Sequence, residues 1–242
     1  MEKQIYTMDD FVDIIAALRS ENGCPWDKEQ THESLKPCMR EEAAEVLAAI
    51  RILDKTGNPE NLREELGDVL LQVVMHSQIA KEEGLFTLED VIQEVSEKMI
   101  RRHPHVFGNI QADDSSQVLK NWEEIKKEEK QGKEWVNTPL KDIPLELPAL
   151  VRAVKVIKKT DKLYEKQPDV KETLASIKKH VEQLEKVSDT LLETALQQGQ
   201  KLPLEQAVSE ILWDIANFSR LFSLDAEQAL INKTEDFLEK YE

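Results

Sequence analysis

Glycine and proline are scarce, at 7 and 9 residues in a chain of 242. Few positions are therefore suited to tight turns, and Glu, Lys, Leu and Ala fill the apolar-periodic stretches, so helix is expected over strand. Cysteine is limited to Cys24 and Cys38, which excludes a disulfide framework and points to reduced thiols. Positive charge is in deficit: 32 Lys and Arg stand against 48 Asp and Glu, for a formal net charge of −16. That balance argues against a general nucleic-acid-binding surface, and it means that an anionic substrate would need a metal to bridge it to the protein. No apolar run approaches the roughly 20 residues that span a bilayer. The start, Met1-Glu2-Lys3-Gln4-Ile5, lacks the basic-then-apolar pattern of a secretion signal, and a cytoplasmic location is expected. There is no Gly-rich phosphate loop and no Gly-x-Ser-x-Gly elbow. His103-Pro104-His105 has no further Cys or His at zinc-like spacing.

What the chain does have is acid in a particular pattern. One expected helix carries Glu41-Glu42-Ala43-Ala44-Glu45, and the next carries Glu65-Leu66-Gly67-Asp68. Helical residues three or four apart share a face, so Glu42 pairs with Glu45 and Glu65 with Asp68. In a chain this acidic, any one such cluster is most simply a solvated face. Two features favour a site instead. The acids adjoin apolar positions such as Val46 and Leu66, and no Lys or Arg follows Glu45 until Arg51. The Gly57-Asn58-Pro59 turn between the two helices would fold them into an antiparallel pair with both acidic faces on one seam. Like charges gathered there repel and lose hydration, which a hard divalent cation with oxygen ligands would relieve.

The apolar pattern predicts further helices. The first begins near Thr7, with Asp10 as its capping partner and Phe11, Ile14, Ile15 and Leu18 as its stripe. Cys24 to Asp27 reads as an irregular loop, because Pro25 disfavours helix at Cys24. The second helix runs from about Thr31 to Lys55 with Leu35, Met39, Val46, Leu47, Ile50 and Leu53 facing the core, and the third from about Glu60 to Glu83 with Leu62, Leu66, Val69, Leu70, Val73 and Val74. Thr87 caps a fourth helix that ends at His103-Pro104, and Ser115 or Ser116 caps a fifth holding Trp122. Pro139, Pro144 and Pro148 mark a boundary, which gives a first domain over 1–132, a linker over 133–148 and a second helical domain over 149–242. Helices are expected near Ala149–Asp161, Val170–Gln198, Leu204–Phe222 and Asp225–Tyr241. The second half reads as a worn copy of the first, with Val181 and Ala207 where acids would stand and Asp236 where Lys98 would.

Lys98, Arg101 and Arg102 close the fourth helix. They complement its dipole or, read functionally, clamp phosphate through guanidinium forks and an ammonium charge. Trp26 and Trp122 are candidates for stacking on a base, with ordinary core packing as the simpler reading.

With these motifs the chain resembles the MazG family of nucleoside triphosphate pyrophosphohydrolases. The resemblance is carried by Glu41-Glu42-x-x-Glu45 and Glu65-x-x-Asp68, and by two flanking strings, Asn22 through Thr31 and Arg101 through Gly108. It covers about residues 8 to 160. It implies an all-α, four-helix-bundle-type domain followed by a degenerate second MazG-like domain. It also implies a Mg²⁺-dependent enzyme, with Mn²⁺ as a substitute, that converts nucleoside triphosphates to monophosphate and pyrophosphate with broad base specificity. By position, Glu42, Glu45, Glu65 and Asp68 would bind metal, and Glu41 would bind a further ion or orient water. Lys98 and Arg102 would contact phosphate, and Trp122 would lie near the nucleotide. The family further implies a homodimer. A narrower pyrophosphatase and an acidic helical adaptor remain the rival expectations.

Overall fold

The structure is a computed structural model that describes residues 5–109, 114–129, 140, 142–167, 169–193 and 201–241. Every regular element among these residues is helical, so the fold is all-α. The chain divides into two compact units, Met1–Glu129 and Lys130–Glu242. Residues 133–139 and 141 of the expected linker, with Pro139, lie outside the described residues, as do Pro168 and residues 194–198 at the expected end of the helix from Val170.

In the first unit, α1 (Met8–Arg19) begins as the sequence predicts. Thr7 Oγ1 accepts from the Asp10 amide at 3.2 Å, and Asp10 returns the contact to the Thr7 amide at 2.7 Å. The Cys24–Asp27 segment departs from expectation: α2 (Pro25–Glu29) is a short helix, because proline at a first helical position costs no hydrogen bond. Gly23 ahead of it is required by space, since a Cβ there would meet the Leu18 carbonyl oxygen at 2.2 Å.

The next helix also starts later than predicted. Thr31 and Ser34 bond each other's amides at 3.0 and 3.1 Å, a side-chain turn that competes with helix. So α3 spans Lys36–Thr56. Gly57, at φ +73°, ends it in the left-handed region and donates to the Leu53 carbonyl at 2.8 Å. Asn58 then accepts from the Glu60 amide at 2.8 Å and opens α4 (Glu60–Glu82). Helices α3 and α4 pack together along the resulting hairpin. Next come α5 (Leu88–Arg102), capped by Thr87 and Asp90, the one-turn α6 (Pro104–Phe107) and α7 (Ser115–Glu129). Both α4 and α7 pack on α5.

The core lies where α1, the start of α3, α4 and the start of α5 meet. Ile15, Leu35, Val74, Met75, Ile79 and Leu88 are buried there. Arg19 is buried beside them. Its guanidinium donates to the Glu82 carboxylate at 2.7 Å and to the Gln30 carbonyl at 3.1 Å, and also to the Asp27 carbonyl, so it ties α1 and α2 to α4. The apolar stripes reach further than this core. Ile14, Leu47, Ile50, Leu66 and Leu70, expected to be buried, are exposed. Helical periodicity marks an apolar face without saying what covers it.

The second unit consists of α8 (Ala149–Leu163), α9 (Val170–Glu193), α10 (Lys201–Leu221) and α11 (Ala226–Leu238). Pro203 lies within the first turn of α10 and does not precede the helix, a place where its missing N–H is harmless. Helix α10 packs on both α9 and α8. Asp214 on α10 meets His180 on α9 at 2.8 Å, and Arg220 meets Asp161 on α8 at 2.7 Å.

Candidate functional site

The α3–α4 hairpin sets two acidic faces opposite each other. One carboxylate oxygen from each of Glu42, Glu45 and Glu65 lies within 4.8 Å of the others. Asp68, one turn beyond Glu65, is close enough to act on Glu42 electrostatically, as is Glu41. The Glu42 carboxyl is pushed above its ordinary range, first by burial, then by its hydrogen bond with Glu45, then by the charges of Asp68, Glu45 and Glu41. Glu42 and Glu65 are half-buried, while Glu41 and Glu45 are exposed.

Asn61, which sequence reading did not single out, donates from Nδ2 to Glu65 Oε1 at 2.7 Å and so orients that carboxylate. Its signal was present in the spacing, since Asn61 stands four residues before Glu65 on the same helical face. Clustered carboxylate oxygens with no soft donor among them fit a hard divalent cation. Among the described residues this is the only group of three acids, His or Cys so placed.

The basic and aromatic candidates gather between α5 and α7. Arg102 lies over the Trp122 ring at 5.1 Å, and His103 meets the same ring edge-on at 5.1 Å. Arg101 and Arg102 both donate to Glu129 at the end of α7. Arg101 Nε reaches Oε1 at 2.7 Å and Arg102 Nε reaches Oε2 at 3.0 Å. The two guanidinium groups, Arg102 foremost, hold the Glu129 carboxyl down at about 2. Glu129 was not among the sequence candidates: it stands 27 residues from Arg102, and nothing local announces the contact. Lys98 is half-buried on α5, one turn before Arg102. Trp26 joins neither group. It is exposed on α2, and its carbonyl accepts from Gln30 Nε2 at 2.9 Å.

In the second unit, a groove of about 640 Å³ between α9 and α10 is lined in part by His180, Gln183, Ala207 and Glu210. Val181 is exposed, and so is Asp236 on α11. Glu182 and Glu185, the acids that the sequence aligns with Glu42 and Glu45, are exposed and do not line that groove.

Residues 30–107, which span the acidic hairpin and α5, match the model of the MazG nucleotide pyrophosphohydrolase domain. The chain is 38% identical over 233 residues to the nucleoside triphosphate pyrophosphohydrolase/pyrophosphatase MazG of Thermotoga maritima, a match covering 96% of this chain and 83% of that protein. It is likewise 38% identical over 235 residues to the nucleoside triphosphate pyrophosphohydrolase of Escherichia coli K12, covering 97% and 85%. The Bacillus subtilis protein YabN is 51% identical over 158 residues, which are 65% of this chain but only 31% of YabN. Near-full-length similarity to two such enzymes, with the acidic hairpin inside the matched domain, shows that the chain belongs to the MazG family of nucleotide pyrophosphohydrolases.

Proposed function

We propose that this enzyme hydrolyses nucleoside triphosphates to monophosphate and pyrophosphate, with broad base specificity and with Mg²⁺ held by Glu42, Glu45, Glu65 and Asp68. The observation that carries the reading is the convergence of three carboxylates from two helices within 4.8 Å, an arrangement whose repulsion a cation relieves. Bound there, Mg²⁺ would supply charge neutralisation for phosphate oxygens and acidify a coordinated water, and Mn²⁺ would substitute.

The protein's own groups divide the remaining work. Asn61 fixes the rotamer of Glu65. Glu41, exposed beside the cluster, orients water or takes its proton. Lys98, Arg101 and Arg102 bind the phosphate chain, and Trp122 flanks the base. Water adds across the bond between the first and second phosphates. The leaving pyrophosphate is already an anion, so it needs no strong protein acid. The second unit, which offers Gln183, Ala207 and a single acid, Glu210, along its groove, is a degenerate MazG-like copy that supports the first without turnover of its own. The enzyme acts as a cytoplasmic homodimer without general nucleic-acid binding. Leu47, Ile50, Leu66 and Leu70, exposed beside the acids, supply an apolar face for the second copy.

The test is pyrophosphate release from a panel of canonical and altered nucleoside triphosphates with Mg²⁺ or Mn²⁺. Turnover of several bases is expected, whereas activity on one alone would establish the narrower pyrophosphatase. Replacing Glu42 or Asp68 by Ala is expected to cut turnover by well over tenfold, a loss of about 1.4 kcal/mol or more of transition-state stabilisation, with helicity intact. More than a tenth of the original activity in both variants would remove the metal assignment.

A further inference from the structure

The two arginines at the end of α5 are engaged by a carboxylate. Each guanidinium directs its Nε and one Nη to a single oxygen of Glu129, so that the two oxygens are divided between two forks. Two guanidinium groups converging on one anion in this way also suit the several oxygens of a phosphate group. The charges do not balance, however. Two cations face one carboxylate, leaving a positive excess that a doubly charged phosphate would match better. Glu129 and Arg102 are largely shielded from water, whereas Arg101 is about half-exposed and reachable. The indole of Trp122 on α7 supports the Arg102 plane from the side, so that the fork stays oriented when its anion is exchanged.

We infer that Glu129 is an internal stand-in for substrate phosphate: it holds Arg101 and Arg102 together on one anion and is displaced when a polyphosphate arrives. This rests on the reading of these arginines as phosphate contacts. The consequence is a penalty on affinity. The enzyme binds its substrate more weakly than its arginines alone would allow, and it discriminates against singly charged anions that cannot outcompete a carboxylate. Glu129 is thus a positioning and competing residue, set against the substrate on the same two side chains.

The experiment titrates inorganic tripolyphosphate, with Mg²⁺ present, into the full chain by calorimetry, and measures KM for a nucleoside triphosphate in parallel. Replacing Glu129→Gln is expected to tighten tripolyphosphate binding and lower KM, each by roughly tenfold. A merely structural glutamate would give the opposite, since damage to the site does not improve binding. Unchanged or weaker tripolyphosphate binding by E129Q would overturn the proposal. If E129Q loses helicity, Glu129→Asp serves in its place: it keeps the charge but shortens the reach, and binding at least as weak as in the unmodified chain would again overturn it. The calorimetric arm needs no turnover. An inactive wild-type chain would therefore sink the proposed hydrolysis while still deciding the role of Glu129.

Discussion

A carboxylate whose proton is held by its neighbours makes metal binding depend on acidity. Glu42 is such a group, raised by burial and by three nearby acids. In the metal-free protein its folded form keeps a proton to higher pH than the unfolded chain does. Its contribution therefore favours folding at low pH and is lost as pH rises through the raised value. Cation binding runs the other way, because the proton must leave. Divalent-ion affinity measured by calorimetry is therefore expected to fall as pH drops towards the raised titration range of Glu42, with proton release on binding there. Metal-free Glu42→Gln, which removes a repelled charge, is expected to melt above the unmodified protein at neutral pH. A pH-independent affinity would contradict the account. At this scale the acids were legible because each pair lies within one helical turn. The contacts of Glu129 with Arg101 and Arg102, 28 and 27 residues away, were not legible, because no local rule links a residue on α7 to the end of α5.

Among the elements, α4 does the most positioning. Its first third presents Glu65 and Asp68, and its last two turns anchor the core and receive Arg19. Arg19 satisfies the Gln30 carbonyl and adds a second donor to the Asp27 carbonyl, which already accepts from the Gln30 amide at 3.3 Å. Arg19→Met is thus expected to destabilise the chain by about 1–3 kcal/mol, chiefly by orphaning the Gln30 carbonyl. Glu82 regains water more easily, being about a third exposed. Thermal or urea unfolding measures the loss, and a change near zero would show that the Gln30 carbonyl finds water readily. Helix ends with a local cause were readable: the Thr7–Asp10 box and the Thr87 cap form as the sequence predicts, and Asp90 completes the second into a box. The start of α3 at Lys36 was not, because the reciprocal Thr31–Ser34 turn competed with an apolar pattern that read straight through it.

At the level of the whole molecule, the exposed apolar residues of α3 and α4 connect stability to assembly. Leu47 is 69% exposed and Leu66 52%, beside acids that need a sheltered seam. If a second copy covers this face, Leu66→Lys is expected to shift the sedimentation of the full chain from dimer to monomer and to lower activity along with it, since buried leucines contribute about 1.5–3 kcal/mol each. A monomeric unmodified chain, or a variant that stays dimeric, would remove that role. Composition and period by themselves determined the all-α class, the longer helices and the two acidic motifs, because helix propensity, capping and residue spacing act over a few positions. Only the tertiary structure decided which apolar residues are buried, that Asn61 orients Glu65 and that Glu129 holds the arginines. Each of those facts depends on where one helix lies against another, and packing of that kind is set by the whole chain at once.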